Sequence, residues 1–134
     1  MESCGKQNMI NKFNILFLGN HTVGVRTLEV LTTRANVVGV VAHPEDPEDG
    51  KNYESVYEAA NRLGLPAIRA SSQNSDFEAF VRTLSPDLIW ITDYKYILPS
   101  FILDLPRIGS INLHPSLLPK YRGRAPINWA IING

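Results

Sequence analysis

Residues 13–42 read FNILFLGNHTVGVRTLEVLTTRANVVGVVA, and the pattern in this stretch decides the architecture. "FNILFLG" is a continuous apolar run closed by Gly19, the pattern of a strand buried on both faces in a parallel sheet. From Val23 to about Arg34, Val25, Leu28 and Leu31 recur at helical spacing, with Val30 broadening the stripe. "NVVGVVA" is a second buried strand. Strand, helix and strand in succession, with short connections, predict a right-handed crossover between parallel neighbours.

The same alternation continues along the chain. "HPEDPEDGKN" is rich in proline and acids and reads as an exposed loop. Tyr53, Val56, Tyr57, Ala60 and Leu63 then mark one face of a helix, and Gly64 sits where a left-handed cap belongs. "PAIRA" is a short third strand. Ser75 followed three residues later by Glu78 predicts a capping box, with Phe77, Phe80, Val81 and Leu84 as the apolar face of the next helix. "DLIWIT" is a fourth strand, "YILPSFILDLP" a turn with a short helical piece, and "GSINLH" a fifth strand. A final helix is expected from Ala125 or Pro126 to Asn133, with Gly134 just past its end. The predicted fold class is α/β, an open, mostly parallel Rossmann-like sheet with helices on both faces and its ligand crevice beyond the carboxyl ends of the strands.

Composition narrows the function. A chain of 134 residues suits one compact domain, and the polar residues 1–12 are expected to form a mobile tail. A hydrophobic fraction of 44%, a charged fraction of 19% and a formal net charge of +0 give no broad electrostatic reason to bind nucleic acid. Lys120, Arg122 and Arg124 form only a local basic group. The single cysteine, Cys4, admits no intramolecular disulfide and points to a reducing compartment. The opening "MESCGKQNMINK" has no apolar signal core, and no apolar run approaches the ~18 residues of a membrane span. A cytoplasmic protein with no membrane partner is expected. The first strand-to-helix turn, "LGNHTVG", lacks the glycine pattern of a dinucleotide or P-loop cradle. His43 beside the acids of "HPEDPEDG" fits no zinc or calcium template, so no metal is expected. Asn20 and His21 lie within reach of the crevice and read as turn formers.

The chemistry-bearing stretch is residues 110–134, SINLHPSLLPKYRGRAPINWAIING. Alternate strand residues share a face, so Asn112 and His114 point one way while Ile111 and Leu113 pack on the other. An amide N–H can stabilise a developing oxyanion and an imidazole can relay protons near neutral pH, a combination that suits acyl transfer. Taken alone, a turn-capping asparagine and a satisfied core histidine are the simpler reading. The flanking residues change it. "INLHPSLLPKYRGRAPINWAIING" resembles the signature of the formyltransferases that use 10-formyltetrahydrofolate, whose members act on methionyl-tRNA, glycinamide ribonucleotide and amino sugars. The likeness extends upstream through "LSPDLIWITDYKYILPSFILDLPRIG", and the strand-helix pattern is compatible from about Phe13 onward.

The resemblance implies that Asn112 and His114 are two of three catalytic polar residues. It implies that the pterin of 10-formyltetrahydrofolate lies against main chain around Tyr96, Ile97 and Leu98, and that a primary amine is the acceptor. In the following loop, Ser116 reads as a backbone-bonding residue, while Lys120, Arg122 and Arg124 are either a solvated basic face or contacts to a substrate phosphate or carboxylate. The family's third catalytic residue, an aspartate, belongs downstream of the final helix. Neither Asp93 nor Asp104 stands in its place. On this reading residues 13–134 are the family's N-terminal α/β domain, incomplete at its carboxyl end. The expected consequence is either self-association along an exposed parallel edge or a longer parent chain. Two functions follow: formyl transfer by an enzyme or the folate-binding part of one, or a formyltransferase-like module that binds folate without turnover. "YRGRAPINW" favours the amino group of a nucleotide-linked sugar as acceptor, with methionyl-tRNA second.

Overall fold

The computed structural model describes residues 13–48, 53–113 and 131–133. In chain order the elements are β1 (Asn14–Gly19), α1 (His21–Thr32), β2 (Asn36–Ala42), α2 (Val56–Arg62), β3 (Ala67–Arg69), α3 (Ser75–Arg82), β4 (Leu88–Thr92), α4 (Ser100–Leu103) and β5 (Gly109–Leu113). The strands form one sheet in the order β3-β2-β1-β4-β5, with every pairing parallel. This is the open Rossmann-like sheet that the alternating pattern predicts. Among the described residues no helix is long and apolar enough to cross a membrane.

The central strand explains the layers. Successive side chains of β1 point to opposite faces, so Leu16 and Leu18 join Ile89 and Ile91 of β4 beneath Phe77 and Val81 of α3 and Ile102 of α4. Phe17 points the other way, against Val25 and Leu28 of α1 and Val56, Ala59 and Ala60 of α2. An apolar run with no polar alternation is thus satisfied by a helix layer on each face.

Strand β2 breaks that parity. Ile15 pairs with Val37 but Leu16 pairs with Gly39, leaving Val38 as the extra residue of a bulge. Val37 and Val40 consequently share a face, although their spacing alone would separate them. Gly39 sits under α3, where an added Cβ would lie 2.5 Å from Leu84 Cδ1 and 3.1 Å from Phe80 Cζ. Gly39→Val is expected to cost about 1–3 kcal/mol through overpacking, read as a lower urea midpoint at unchanged slope.

Several local expectations are corrected. Helix α1 begins at His21 rather than Val23 and stops at Thr32, and Val30 is 63% exposed instead of widening the buried stripe. Tyr53 and Leu63 lie outside α2, whose cap is Ser55 accepting from the Glu58 backbone N–H at 3.2 Å. Helix α3 is capped by Asn74, which accepts from Asp76 N–H at 2.9 Å, so Ser75 is already helical and the Ser75–Glu78 box does not form. The short asparagine side chain closes a turn two residues ahead, which competes directly with a serine one position later. Gly64 has φ +72, as the left-handed cap requires. Of the expected final helix, 131–133 are helical; 125–130 lie outside the described residues, as does the tail 1–12.

At the amino edge of the sheet, Asp87 joins three strands. Its carboxylate accepts from Asn14 N–H at 2.9 Å and from Arg107 Nε at 3.1 Å. Its own N–H donates to the Asn14 carbonyl, and its carbonyl accepts from Ile108 N–H, both at 2.7 Å. The Asn14 N–H, and after it Arg107, hold the Asp87 carboxyl below the usual aspartate value. A carboxyl lowered in the folded state stabilises above its unfolded value and loses that contribution as the pH falls through the folded one. The stability difference between wild type and Asp87→Asn is therefore expected to be full at neutral pH and to erode below about pH 4, as urea titrations at several pH values would read.

Candidate functional site

The strand order reverses direction between β1 and β4, because β1 leads to β2 on one side while the chain returns to β4 on the other. Sheets of this class bind ligands in the crevice at that switch, outside the carboxyl ends of the strands. Gly19 ends β1 there, and Thr92 ends β4. Asn20 N–H donates to the Thr92 carbonyl at 3.2 Å, closing the two ends together.

Just beyond, His21 and Asp93 both adopt positive φ, 58° and 60°, and are linked by a hydrogen bond between His21 Nδ1 and Asp93 Oδ2 at 2.8 Å. Left-handed non-glycine residues cost on the order of 1 kcal/mol each, so the surrounding contacts must hold them. Tyr53 stacks on the His21 ring with centroids 4.0 Å apart. His21 is therefore more than a turn former: it ties the first loop to the loop after β4.

That second loop is fixed at further points. Tyr94 is buried, and its hydroxyl donates to the Ala70 carbonyl at 2.8 Å; burial pushes the phenol well above its ordinary range. Lys95 N–H donates to His43 Nε2 at 3.0 Å, and buried Ser72 donates through Oγ to the Ile97 carbonyl at 2.6 Å. Of the residues assigned to the cofactor, Tyr96 and Leu98 pack against the α3 and α4 core, while the Ile97 side chain is 87% exposed. A main-chain segment held this way presents its remaining polar groups, beside an apolar side chain, without further ordering. Among the described residues no cluster of His, Cys, Asp or Glu could hold a metal ion.

Asn112 occupies β5 opposite Ile91, and in-register parallel neighbours share a face. Its exposed carboxamide is thus on the face that carries the α3 and α4 core and the 96–98 segment. His114, Ser116, Lys120, Arg122 and Arg124 lie outside the described residues. The expectation that Ile111 and Leu113 pack is not met: they are 43% and 50% exposed. Their register puts them on the α1 and α2 side, and those helices cover the other end of the sheet. Sequence reading missed Ser72 altogether, and treated His43 only as a metal candidate. Their partners lie 25 and 52 residues away, and no local pattern signals them.

The formyl transferase profile matches residues 13–134. A methionyl-tRNA formyltransferase of Clostridium tetani is 44% identical over 125 residues, covering 90% of this chain and 40% of the relative. That of Acetivibrio thermocellus is 42% identical over 125 residues, with the same coverages of 90% and 40%. The chain thus spans about 40% of the length of these relatives. In fold, the phosphoribosylglycinamide formyltransferase of Anaplasma phagocytophilum superposes with a TM-score of 0.68 at 19% identity, covering 92% of this chain and 60% of that one. A formyltetrahydrofolate deformylase of Pseudomonas syringae pv. tomato gives 0.67 at 18%, covering 92% and 42%. A profile that accounts for everything from Phe13 onward, over an open parallel sheet of the expected class, places this chain in the formyl transferase family.

Proposed function

We propose that this chain supplies the formyl-donor side of an enzyme that moves a formyl group from 10-formyltetrahydrofolate to a primary amine, with methionyl-tRNA as the acceptor. The observation that carries this reading is Asn112, an exposed carboxamide near the carboxyl end of β5 on the same sheet face as the pinned 96–98 segment. The donor set suits the folate: main-chain groups of Tyr96, Ile97 and Leu98 read the amide edge of the pterin, and exposed Ile97 supplies apolar surface.

In the reaction, the amine attacks the formyl carbon and a new C–N bond forms. Asn112 and protonated His114 hydrogen-bond to the oxyanion, where the charge develops. His114 passes a proton to the departing folate nitrogen, and the proton released by the amine restores it. Lys120, Arg122 and Arg124 meet phosphate on the acceptor.

The relatives' names support methionyl-tRNA over the sugar-linked amine that the loop sequence favours. The net charge of +0 does not oppose this, since a local basic group can meet phosphate on a chain of zero net charge. A formyl-transfer assay with both acceptors, on this polypeptide and on one extended past Gly134, tests the reading. Transfer to methionyl-tRNA and not to the sugar nucleotide is expected from the extended form. Folate-analogue binding without transfer by either form would support the non-catalytic module instead.

A further inference from the structure

The loop after β4 is held by four contacts from three other segments: His21 at Asp93, His43 at Lys95, and, from residues 70–72, the Ala70 carbonyl at Tyr94 and Ser72 at Ile97. The His43 contact differs in kind from the rest. An imidazole nitrogen accepts a main-chain N–H, at 3.0 Å, and only an unprotonated Nε2 can do so. The bond therefore requires a neutral ring with its proton on Nδ1. The same ring meets the edges of Tyr94 and Tyr96 at 5.0 and 5.1 Å, and those two phenol rings meet each other at 5.3 Å. Three mutually edge-packed rings thus bridge from the end of β2, past β1, to the loop after β4.

The geometry points to His43 as a positioning residue: its neutral imidazole aligns the Lys95–Leu98 main chain for the pterin ring of the formyl donor. This rests on the folate reading above and adds to it a residue that does not touch the donor. Protonation of His43 would turn its acceptor into a second donor facing the Lys95 N–H, and the loop would lose its anchor at Lys95. Among the described residues, the phenol rings of Tyr94 and Tyr96 pack against the imidazole, and the Lys95 ammonium lies 5.3 Å from the Tyr96 ring centroid. On the ring's own segment, the Glu45 carboxylate is taken by Arg69 at 2.7 Å.

Calorimetry of the full chain with a stable 10-formyltetrahydrofolate analogue tests this, comparing wild type, His43→Ala and His43→Gln between about pH 5.5 and 8. His43→Ala is expected to bind about tenfold more weakly. His43→Gln, whose amide oxygen can accept the Lys95 N–H, is expected to restore most of the affinity and to guard against a fold defect in the alanine variant. Wild-type affinity should fall on acidification through the imidazole range, and that step should be absent from His43→Gln. His21 and His114 are common to all three proteins, so the difference between the profiles belongs to His43. In the unliganded protein, the Lys95 amide should be protected from hydrogen exchange in wild type and His43→Gln but not in His43→Ala. Wild-type binding with equal affinity and equal Lys95 protection in His43→Ala would overturn the assignment while leaving the folate reading intact. A wild-type chain that binds no analogue at any pH would overturn both.

Discussion

An Asn112→Ala variant of the chain extended past Gly134 is expected to transfer formyl groups about 100- to 1,000-fold more slowly than its parent. The carboxamide stands exposed on β5, so its removal opens no core cavity and leaves the sheet intact. On the proposed reading, what is lost is a donor aimed at charge that exists only as the amine adds to the formyl carbon. The loss should therefore fall on kcat, with affinity for a folate analogue and the melting temperature little changed. Steady-state kinetics and calorimetry on the same preparation separate the two. A variant that transfers at the parental rate would remove Asn112 from the chemistry. One that merely binds folate more weakly would make it a binding residue.

Truncating Phe77 to alanine is expected to cost about 3–5 kcal/mol, a large share of the roughly 5–15 kcal/mol that holds a domain folded. Phe77 is 0% exposed and belongs to the cluster of Leu16, Leu18, Ile89 and Ile102, where α3 and α4 seat on the sheet. Nearby side chains are themselves fully buried, so the vacated volume is poorly refilled. The same cluster receives Tyr94 and, at its margin, Tyr96 and Leu98. The variant should accordingly weaken folate binding as well as lower the urea midpoint, although Phe77 belongs to the core rather than the rim. A midpoint close to wild type would mean that the α3 layer contributes little to stability.

These two sites differ in how far they could be read from the sequence. Phe77 follows from helical spacing alone, and Asn112 from alternation along a strand that ends at the carboxyl rim. Both signals are local: one is the 3.6-residue period of a helix with a buried face, the other the two-residue period of a strand. Helix ends were less legible: Asn74 caps α3 ahead of the expected Ser75, since two adjacent residues of capping type compete and the winner depends on the incoming backbone. The bulge at Val38 was not legible either, because an apolar run carries no mark of which residue is skipped.

The sequence by itself determined the class of fold, the order of strands and helices, the family and the amide at the rim of β5. Hydrophobic runs, helical periodicity and a specific motif are written in neighbouring residues, and burial enforces them. Only the tertiary structure decided how the loop after β4 is held, through His21, His43, Tyr94 and Ser72. It also decided that Ile111 and Leu113 stand exposed among the described residues. Hydrogen bonds between residues 72, 52, 24 and 25 positions apart exist only once the parallel sheet has brought the ends of its strands together.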